Sequence, residues 1–295
     1  MASGGIGNPS PATLFQARLL TIDGAGPNLR LAQYCGNKVV VSGLTVSIPQ
    51  TGLDRDIADN LIDAAGADAG APPAASTLYY VYISNKRSPF SPESIRLSAT
   101  APSYVNGVKY LGISGNALNW RFVGWVQPNA TPEFESSPTS RTIINYYNRF
   151  DLSLFLCPGY VDNNAFTTYV FSSATFAPIH AGVDDHVRFI SNGEDAISYQ
   201  AQAVADNSLG STPTWLLGVG EDSDTSPAVV GGNLFSATTT VNCQTCEKDT
   251  LLPEGTRVLS MLMSTTVALN IYADASRQGA AADPPMTYIT ACVTG

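Results

Sequence analysis

Residues 76–134 decide the fold of this chain. They open with STLYYVYISN (76–85), continue through RLSATAPSYVNGVKYLGISG (96–115) and close with NWRFVGWVQPNATPEF (119–134). The β-formers from Leu78 to Ile83 make a short apolar run bounded by turn residues, which favours a strand covered on both faces over a piece of buried helix. RFVGWV is a second such run, and Gly124 in its middle predicts a close approach by backbone or by another chain. No acid, base and nucleophile cluster here, so the stretch predicts an architectural unit of strands and turns.

The same motifs carry a resemblance to a known family. A YYVY strand, then SATAP, a glycine-containing turn, R-x-x-GWV, an Asn-rich turn and a closing Phe134 resemble a module of structural proteins from tailed bacteriophages and prophages. The match covers about a fifth of the chain, and GISGNALN (112–119) makes the middle segment longer than is usual in that family. The resemblance implies a virion protein of the tail-fibre, appendage or capsid-decoration type, assembled as a homotrimer. It implies no catalytic residue.

The first half of the chain predicts three segments. Residues 1–13 are rich in Gly and Pro and form neither helix nor central strand, so we expect an N-terminal attachment arm. Residues 14–134 predict a β-rich domain, with Gly36-Asn37 as the turn of a two-residue hairpin. Apolar residues at helical spacing predict one short helix within 54–65.

The second half of the chain predicts a separate domain. The polar, proline-containing stretch 135–139 is the predicted linker. Residues 140–295 show short strands separated by turns, a layout typical of a β-sandwich or jelly roll. The predicted fold class is therefore all-β with two β-rich domains and little helix.

Composition limits the classes of partner. Hydrophobic residues make up 44% of the chain and charged residues only 13%, which fits either a surface covered by neighbouring subunits or an ordinary secreted β protein. The net charge is −9 and the basic residues are scattered, which argues against nucleic-acid binding and against adhesion to an anionic membrane. No apolar stretch is long enough to span a bilayer, and the N-terminus does not resemble a signal peptide. These features predict synthesis in the cytosol, and the resemblance implies that this is the host cytoplasm and that the protein is assembled into a virion.

Two groups of residues are weak candidates for a metal site. Cys243 and Cys246 have the spacing of half a zinc site, but the remaining cysteines and histidines are not paired at ligand spacing, so structural cysteines, zinc and a late disulfide all stay open. The remaining candidates are Cys35, Cys157, Cys292, His180 and His186. Glu221, Asp222 and Asp224 form the densest acidic group and are candidate Ca²⁺ ligands, although they do not match the calcium-loop pattern. A solvated surface loop explains them equally well.

The sequence gives weaker support for catalysis and for receptor binding. His180 and His186, with Asp184 and Asp185, contain triad residue types, but no G-x-S-x-G elbow accompanies them. Several aromatic residues would stack sugars if they lined a groove, and would otherwise fill the core: Tyr146, Tyr147, Tyr160, Tyr169 and Trp215. A polysaccharide depolymerase usually needs the short repeats of a β-helix, which are absent.

The leading interpretation is a non-enzymatic structural subunit that requires no cofactor. Its partners are other copies of itself and other virion proteins, with a host-surface glycan as a further candidate. Fibre or appendage, capsid decoration and lectin-like tip stay open as alternatives. The residues expected to mediate assembly are apolar and lie in the arm, at its junction or in the resembling module: Ile6, Pro9, Leu14, Phe15, Tyr79, Tyr80, Tyr82, Phe122, Trp125 and Phe134.

Overall fold

The computed structural model of the 295-residue chain is built of β-strands. It describes residues 14–22, 25–85, 91–149, 151–157, 168–180, 186–206, 214–234, 242–272 and 287–294. Helical structure within these ranges is limited to two short 3-10 turns, Pro92–Ser94 and Gly115–Asn119. Across the described residues, no helix is long and apolar enough to cross a membrane. The predicted all-β fold class is confirmed.

The chain forms two compact units. The first contains the residues up to 137 and those from 141 to 150, and the second contains 138–140 and 151–294. The strands before the crossover are β1 Ala17–Thr21, β2 Ala25–Gly26, β3 Asn28–Gln33, β4 Lys38–Val41, β5 Leu44–Ser47, β6 Leu53–Asp56, β7 Tyr79–Ser84, β8 Ile95–Ser98, β9 Ser103–Val105, β10 Val108–Tyr110, β11 Trp120–Val126 and β12 Phe134–Glu135. Those that follow are β13 Ser140–Arg141, β14 Ile143–Asn145, β15 Asp151–Leu156, β16 Thr168–Phe171, β17 Ala177–Pro178, β18 His186–Ser191, β19 Ile197–Asp206, β20 Thr214–Glu221, β21 Pro227–Leu234, β22 Asn242–Thr250, β23 Gly255–Thr265, β24 Leu269–Tyr272 and β25 Tyr288–Thr294.

The two apolar runs of the central stretch pair with each other at the middle of the first unit. β7 and β11 are antiparallel neighbours in the sheet β8-β7-β11-β10-β9, and β14 pairs with β11 as well. Tyr79, Val81 and Ile83 face the main core of this unit, while Tyr82 packs near the Phe122 ring on the other face. Every residue of β11 is buried. Both runs are therefore strands covered on both faces, as the sequence predicts.

A side-chain amide ties β1 to this central sheet. The Asn145 Oδ1 atom accepts the backbone N–H of Leu19 at 2.6 Å, and its Nδ2 donates to the Leu19 carbonyl at 3.1 Å. The buried amide thus takes the place of a strand backbone for Leu19. It joins the three-stranded sheet β1-β3-β6 to the larger sheet.

The second unit contains two six-stranded sheets with one shared core. One sheet runs β13-β18-β23-β20-β21 with β17 beside β23, and the other runs β15-β25-β19-β24-β16 with β22 beside β19. Trp215 and Met261 of the first sheet lie in the same buried cluster as Tyr199 and Ile289 of the second. Alternating strand residues from both sheets fill the space between them, which is the architecture of a sandwich.

The predicted helix within 54–65 is wrong. Asp56 ends β6, and the residues after it form turns. The Asp56 and Asp63 carboxylates accept the backbone N–H groups of Ala58 and Ala65, at 2.8 and 2.9 Å. Such side-chain bonds compete with helix formation, and the helix-like spacing of apolar residues reflects turns that direct Ile57 and Ile62 inward.

The predicted hairpin at Gly36-Asn37 is also wrong. β3 pairs with β1 and β6, whereas β4 pairs with β5. The two-residue turn is instead Ser42-Gly43, where both residues have positive φ (51° and 79°), as a hairpin of this length requires. Gly36 lies in the segment that connects β3, in the sheet β1-β3-β6, to β4 in the two-stranded sheet.

The domain boundary differs slightly from the expectation. The first crossover between units falls after Ser137, within the predicted linker. However, β14, which the sequence assigns to the second domain, pairs with β11 in the first unit. Ile143 and Ile144 are both fully or almost fully buried there, because this short segment has apolar residues for both faces of the sheet.

Candidate functional site

The acidic group after β20 is built into a turn. Asp222 has a φ of +53°. Its Oδ1 accepts the Val258 N–H at 2.8 Å and its Oδ2 accepts Arg257 Nη1 at 2.7 Å. The backbone N–H of Asp222 donates to the Val258 carbonyl at 2.8 Å. The carboxylate therefore holds a left-handed turn against β23.

Glu221 has a different set of partners. One of its oxygens, Oε1, accepts the Tyr199 hydroxyl at 2.6 Å and the Lys248 Nζ at 2.8 Å. Burial raises the pKa of the Tyr199 hydroxyl, and the bond to Glu221 raises it further. This carboxylate links β20 to β19 and β22 and lies apart from the contacts of Asp222.

Asp224 connects a serine and a histidine. Its Oδ1 accepts the Ser260 hydroxyl at 2.5 Å and lies 3.2 Å from His186 Nε2. The hydrogen bond from Ser260 is the main cause of a lowered Asp224 carboxyl pKa, with a smaller contribution from His186. In a catalytic triad the histidine stands between serine and carboxylate and takes the serine proton. Here the carboxylate stands between them, so the arrangement does not activate Ser260 as a nucleophile.

The carboxylates of the acidic group, the candidate calcium ligands, are already hydrogen-bonded within the chain. Asp222 and Asp224 line one cavity with His186 and Ser260, but both carboxylates already accept hydrogen bonds there, and Glu221 instead faces Tyr199 and Lys248. Among the described residues, no group of three or more His, Cys, Asp or Glu side chains is placed to hold a metal ion.

The other residues considered for a catalytic triad add no such site to the part of the chain that the structure describes. Asp184 and Asp185 lie outside the described residues, and His180 is partly buried.

Strand geometry separates the two cysteines of the candidate zinc site. Cys243 and Cys246 lie three positions apart on β22, so their side chains project to opposite faces of the sheet. Cys243 is exposed, whereas Cys246 is buried in the core of the second unit. Burial raises the pKa of the Cys246 thiol to about 11. This thiol is a core side chain.

Most of the predicted assembly residues are buried within the chain itself, which corrects the prediction for them. The relative exposures are 8% or less for Phe15, Tyr79, Tyr82, Phe122, Trp125 and Phe134. Leu14 and Tyr80 are half-buried, and Ile6 and Pro9 lie outside the described residues. The aromatic run fills the first unit, so the apolar surface of these six residues is already removed from water without a partner chain.

The most distinctive cluster in the first unit surrounds a lysine. The Lys109 Nζ lies over four aromatic rings, at 4.4 Å from the centroid of Tyr146, 5.0 Å from Tyr104, 5.5 Å from Trp125 and 5.7 Å from Phe122. Lys109 is only 7% exposed. An ammonium group in such a cage is stabilised by the negative faces of the rings. Lys109 therefore holds the β9–β10 hairpin onto the aromatic face of the central sheet.

The edge of this cluster reaches the surface. Tyr104 is 60% exposed, and its hydroxyl lies 3.2 Å from that of Tyr146. The Arg149 guanidinium lies 5.0 Å from the Tyr146 ring centroid, and Arg149 Nε donates to the Tyr146 carbonyl at 2.9 Å. We call Tyr104, Tyr146, Lys109 and Arg149 the tyrosine ledge. The exposed Tyr104 ring, the paired hydroxyls and the half-buried Arg149 guanidinium suit a polar ligand that stacks, such as a sugar, whereas Lys109 is covered by the rings.

The sequence analysis missed Tyr104, Lys109 and Arg149, although a signal for the first two is present. Asn106-Gly107 is a hairpin turn between apolar residues. Its register places Lys109 directly opposite Tyr104 on one face. Of the aromatics proposed to stack sugars, Tyr146 lies in the ledge and Tyr147 stacks on Phe15 with ring centroids 4.6 Å apart. Trp215 is fully buried in the second unit, Tyr160 lies outside the described residues, and the side chain of Tyr169 does too.

An arginine forms the second cationic feature of this unit. Arg121 is fully buried, with its guanidinium 4.5 Å from the ring centroid of Tyr147 and 5.3 Å from that of Phe15. It donates to the carbonyls of Leu14 and Val40. Arg121 therefore fixes the point where the N-terminal thirteen residues join the described structure.

Comparisons with known proteins give distant similarities only. No protein-family model and no curated protein matches the chain. A structure of the infectious bursal disease virus Gx strain is 12% identical over 95% of this chain and 75% of that one, with a TM-score of 0.27. A VP2 subviral particle of the same virus is 8% identical over 94% and 70%, with a TM-score of 0.31. A Cry1Da core variant from Bacillus thuringiensis is 8% identical over 88% and 52%, with a TM-score of 0.20. TM-scores this low carry no argument, and the fold class rests on the strands described above.

Proposed function

We propose that this protein is a non-enzymatic structural subunit of a tailed-bacteriophage particle that assembles with copies of itself. The observation that carries the proposal is the sequence module at 76–134, which resembles virion proteins and supplies β7 to β11 as one antiparallel sheet. The module thus folds as one continuous sheet with a buried centre in β7 and β11, as an architectural unit should. The low charged fraction of the chain, 13%, is consistent with a surface that neighbouring subunits cover.

The contacts of the candidate chemical groups support a structural role. Asp222 and Asp224 are engaged by donors of their own unit, and Cys246 is a core residue. The Ser260–Asp224–His186 order does not create a nucleophile. Asp222, Asp224 and Cys246 thus have structural contacts that fit a non-enzymatic subunit.

Particle analysis tests this proposal. We expect mass spectrometry to detect the protein in gradient-purified virions, and cryo-electron microscopy to place two β-rich units per copy in the particle. The same maps would distinguish a trimeric fibre or appendage from a decoration protein lying across the capsid. Absence of the protein from purified virions would contradict the proposal, as would a stable monomer that turns over a sugar.

The tyrosine ledge favours a second candidate function, recognition of a host-surface glycan. Its specific support is the 60% exposure of Tyr104 beside the Tyr146 hydroxyl and the half-buried Arg149 guanidinium. A glycan array probed with the purified protein tests this function. We expect signals that Tyr104→Ala removes and that Ile113→Ala preserves, because Ile113 is 72% exposed but offers no ring. An array without hits at high protein concentration would reject it.

A further inference from the structure

The β4–β5 hairpin presents an open strand edge. β4 and β5 form a two-stranded sheet, in which Val41 pairs with Leu44 and Lys38 with Ser47. Within the described ranges, β4 is the only strand that pairs with β5. The edge therefore belongs to a sheet that can be extended on one side.

The hydrogen-bond phase shows which backbone groups point outward. Asn37 and Ile48 form a bonded pair beyond the hairpin, with Ile48 N donating to Asn37 O at 2.7 Å. Bonded pairs alternate along an antiparallel ladder, so the backbones of Lys38 and Val40 point away from β5. They are bonded on that side, because Gln16 N donates to Lys38 O at 2.8 Å and Val40 N donates to Leu14 O at 3.0 Å.

The same alternation directs two residues of β5 to the open side. The N–H and C=O groups of Thr45 and Ser47 point away from β4. No bond to these groups is found among the described residues. Thr45 and Ser47 are exposed, and the neighbouring Leu44 is 60% exposed.

Side chains of the first unit hold the hairpin, and no described residue covers the outer edge of β5. The Ser42 hydroxyl donates to the Leu118 carbonyl, and Asn85 Nδ2 donates to the Val41 carbonyl at 2.8 Å. Exposed strand edges are usually blunted by short length, charged residues, proline or a bulge. Leu44–Ser47 is short, at four residues, but contains no charge, proline or bulge.

We propose that β5 is a self-association edge, at which two copies of this chain pair their β5 strands antiparallel about a twofold axis through Val46. The argument for a second copy is self-complementarity. In this register Thr45 of one copy faces Ser47 of the other, so both residues exchange N–H···O=C bonds and four open donors meet four open acceptors. An uncharged strand brings no like charges together at the axis. This inference rests on the proposed function only for its biological use, which is to link copies within a particle.

The expected pairing is weak in solution. Four residues on each side bury far less than the roughly 1,000 Å² expected of a stable interface. We therefore expect the sedimentation coefficient of the purified full-length chain to rise with concentration. Thr45→Pro removes one outward N–H at an edge position that tolerates proline, and should raise the dissociation constant about tenfold or more.

A charge variant and a matched control complete the solution test. Thr45→Lys places like charges across the axis and should weaken association as Thr45→Pro does. Thr245→Lys makes the same substitution at an exposed position of β22 and should leave association unchanged. Each variant is first checked for wild-type urea unfolding. Unchanged association of both folded Thr45 variants would overturn the proposal.

Crosslinking identifies which chain segment pairs with the outer edge of β5. Val46→Cys should form a 46–46′ disulfide under mild oxidation, detectable by peptide mass spectrometry, because nonbonded antiparallel pairs bring side chains close. Disulfides from position 46 to any of the five native cysteines would overturn the proposed β5 pairing in favour of another register. Links from a photocrosslinker at position 45 to residues 1–13 would overturn it in favour of the N-terminal segment. Detection of the protein in virions without this pairing would reject the β5 self-association and leave the proposed function in place. Pairing without incorporation into virions would reject the proposed function and leave the β5 self-association in place.

Discussion

The backbone of Gly124 in β11 lies directly against the carbonyl oxygen of Ile144 in β14. A Cβ atom at position 124 would overlap that oxygen and would also meet a methyl group of Leu19 at 3.1 Å. This position coincides with a register shift between Phe122 and Gly124 in the pairing of β11 with β7. The absence of a side chain is therefore what allows β14 to join the central sheet.

Gly124→Ala should lower the free energy of unfolding of the first unit by about 1–3 kcal/mol, because a strand must shift to admit the methyl group. Urea denaturation followed by tryptophan fluorescence measures the effect. Gly26→Ala is the matched control, since its nearest contact would be 3.7 Å from the Ile22 carbonyl oxygen. An effect of equal size in both variants would contradict the role of close approach.

Arg121→Met should destabilise the first unit by about 2–3 kcal/mol, because it leaves the Leu14 and Val40 carbonyls without their charged donor. Arg18→Met offers a comparison, since Arg18 is half-buried over the Tyr34 ring at 5.3 Å and its loss should cost below about 1 kcal/mol. Thermal unfolding of both variants checks the difference. Equal stability losses would show that the buried bonds of Arg121 contribute little.

The Asp224 carboxyl gives the second unit a pH dependence. Its pKa is lowered from 3.8, mainly by the Ser260 hydroxyl, so the folded state binds its proton less readily than the unfolded state. The resulting stabilisation is present above the unfolded pKa and is lost as the pH falls through the lower folded value. Asp224→Asn should therefore be less stable than the wild type at pH 7, and the difference should shrink as the pH drops below about 4. A difference that is independent of pH would contradict this assignment.

The two β22 cysteines should react differently with a thiol reagent. Cys243 is exposed, whereas the Cys246 thiol is buried with a pKa of about 11, so little thiolate forms near neutral pH. We expect peptide mass spectrometry to find Cys243 alkylated in the native protein and Cys246 alkylated only after unfolding in urea. A disulfide between the two in the native protein would contradict their placement on opposite faces.

Calcium should not stabilise the second unit. Glu221, Asp222 and Asp224 each accept hydrogen bonds from neighbouring donors, so an ion would have to break those contacts to bind. Millimolar CaCl₂ should leave the melting temperature equal to that in matched MgCl₂. A calcium-specific rise, abolished by Asp222→Asn, would restore the metal site.

The local sequence pattern was sufficient to predict secondary structure where the residues of one short segment determine it. The aromatic and β-branched run of β7 and the RFVGWV run of β11 are strands, and Gly124 marks a close backbone approach. The same reasoning failed between β6 and β7, where side-chain bonds from Asp56 and Asp63 compete with the helix that apolar spacing suggests. It also failed at Gly36, because the turn lies at Ser42-Gly43 instead.

By itself, the sequence determined that this chain is built of short strands, since alternation, β-branching and turn residues act over a few neighbouring positions. Only the tertiary structure decided what the chemical side chains do. Asp224 meets His186 across 38 positions and Asn145 meets Leu19 across 126, and local pattern carries no information about such pairs. The open edge of β5 likewise follows from strand pairing, because the register on β4 directs the Thr45 and Ser47 backbone groups outward and no other described strand pairs with that side.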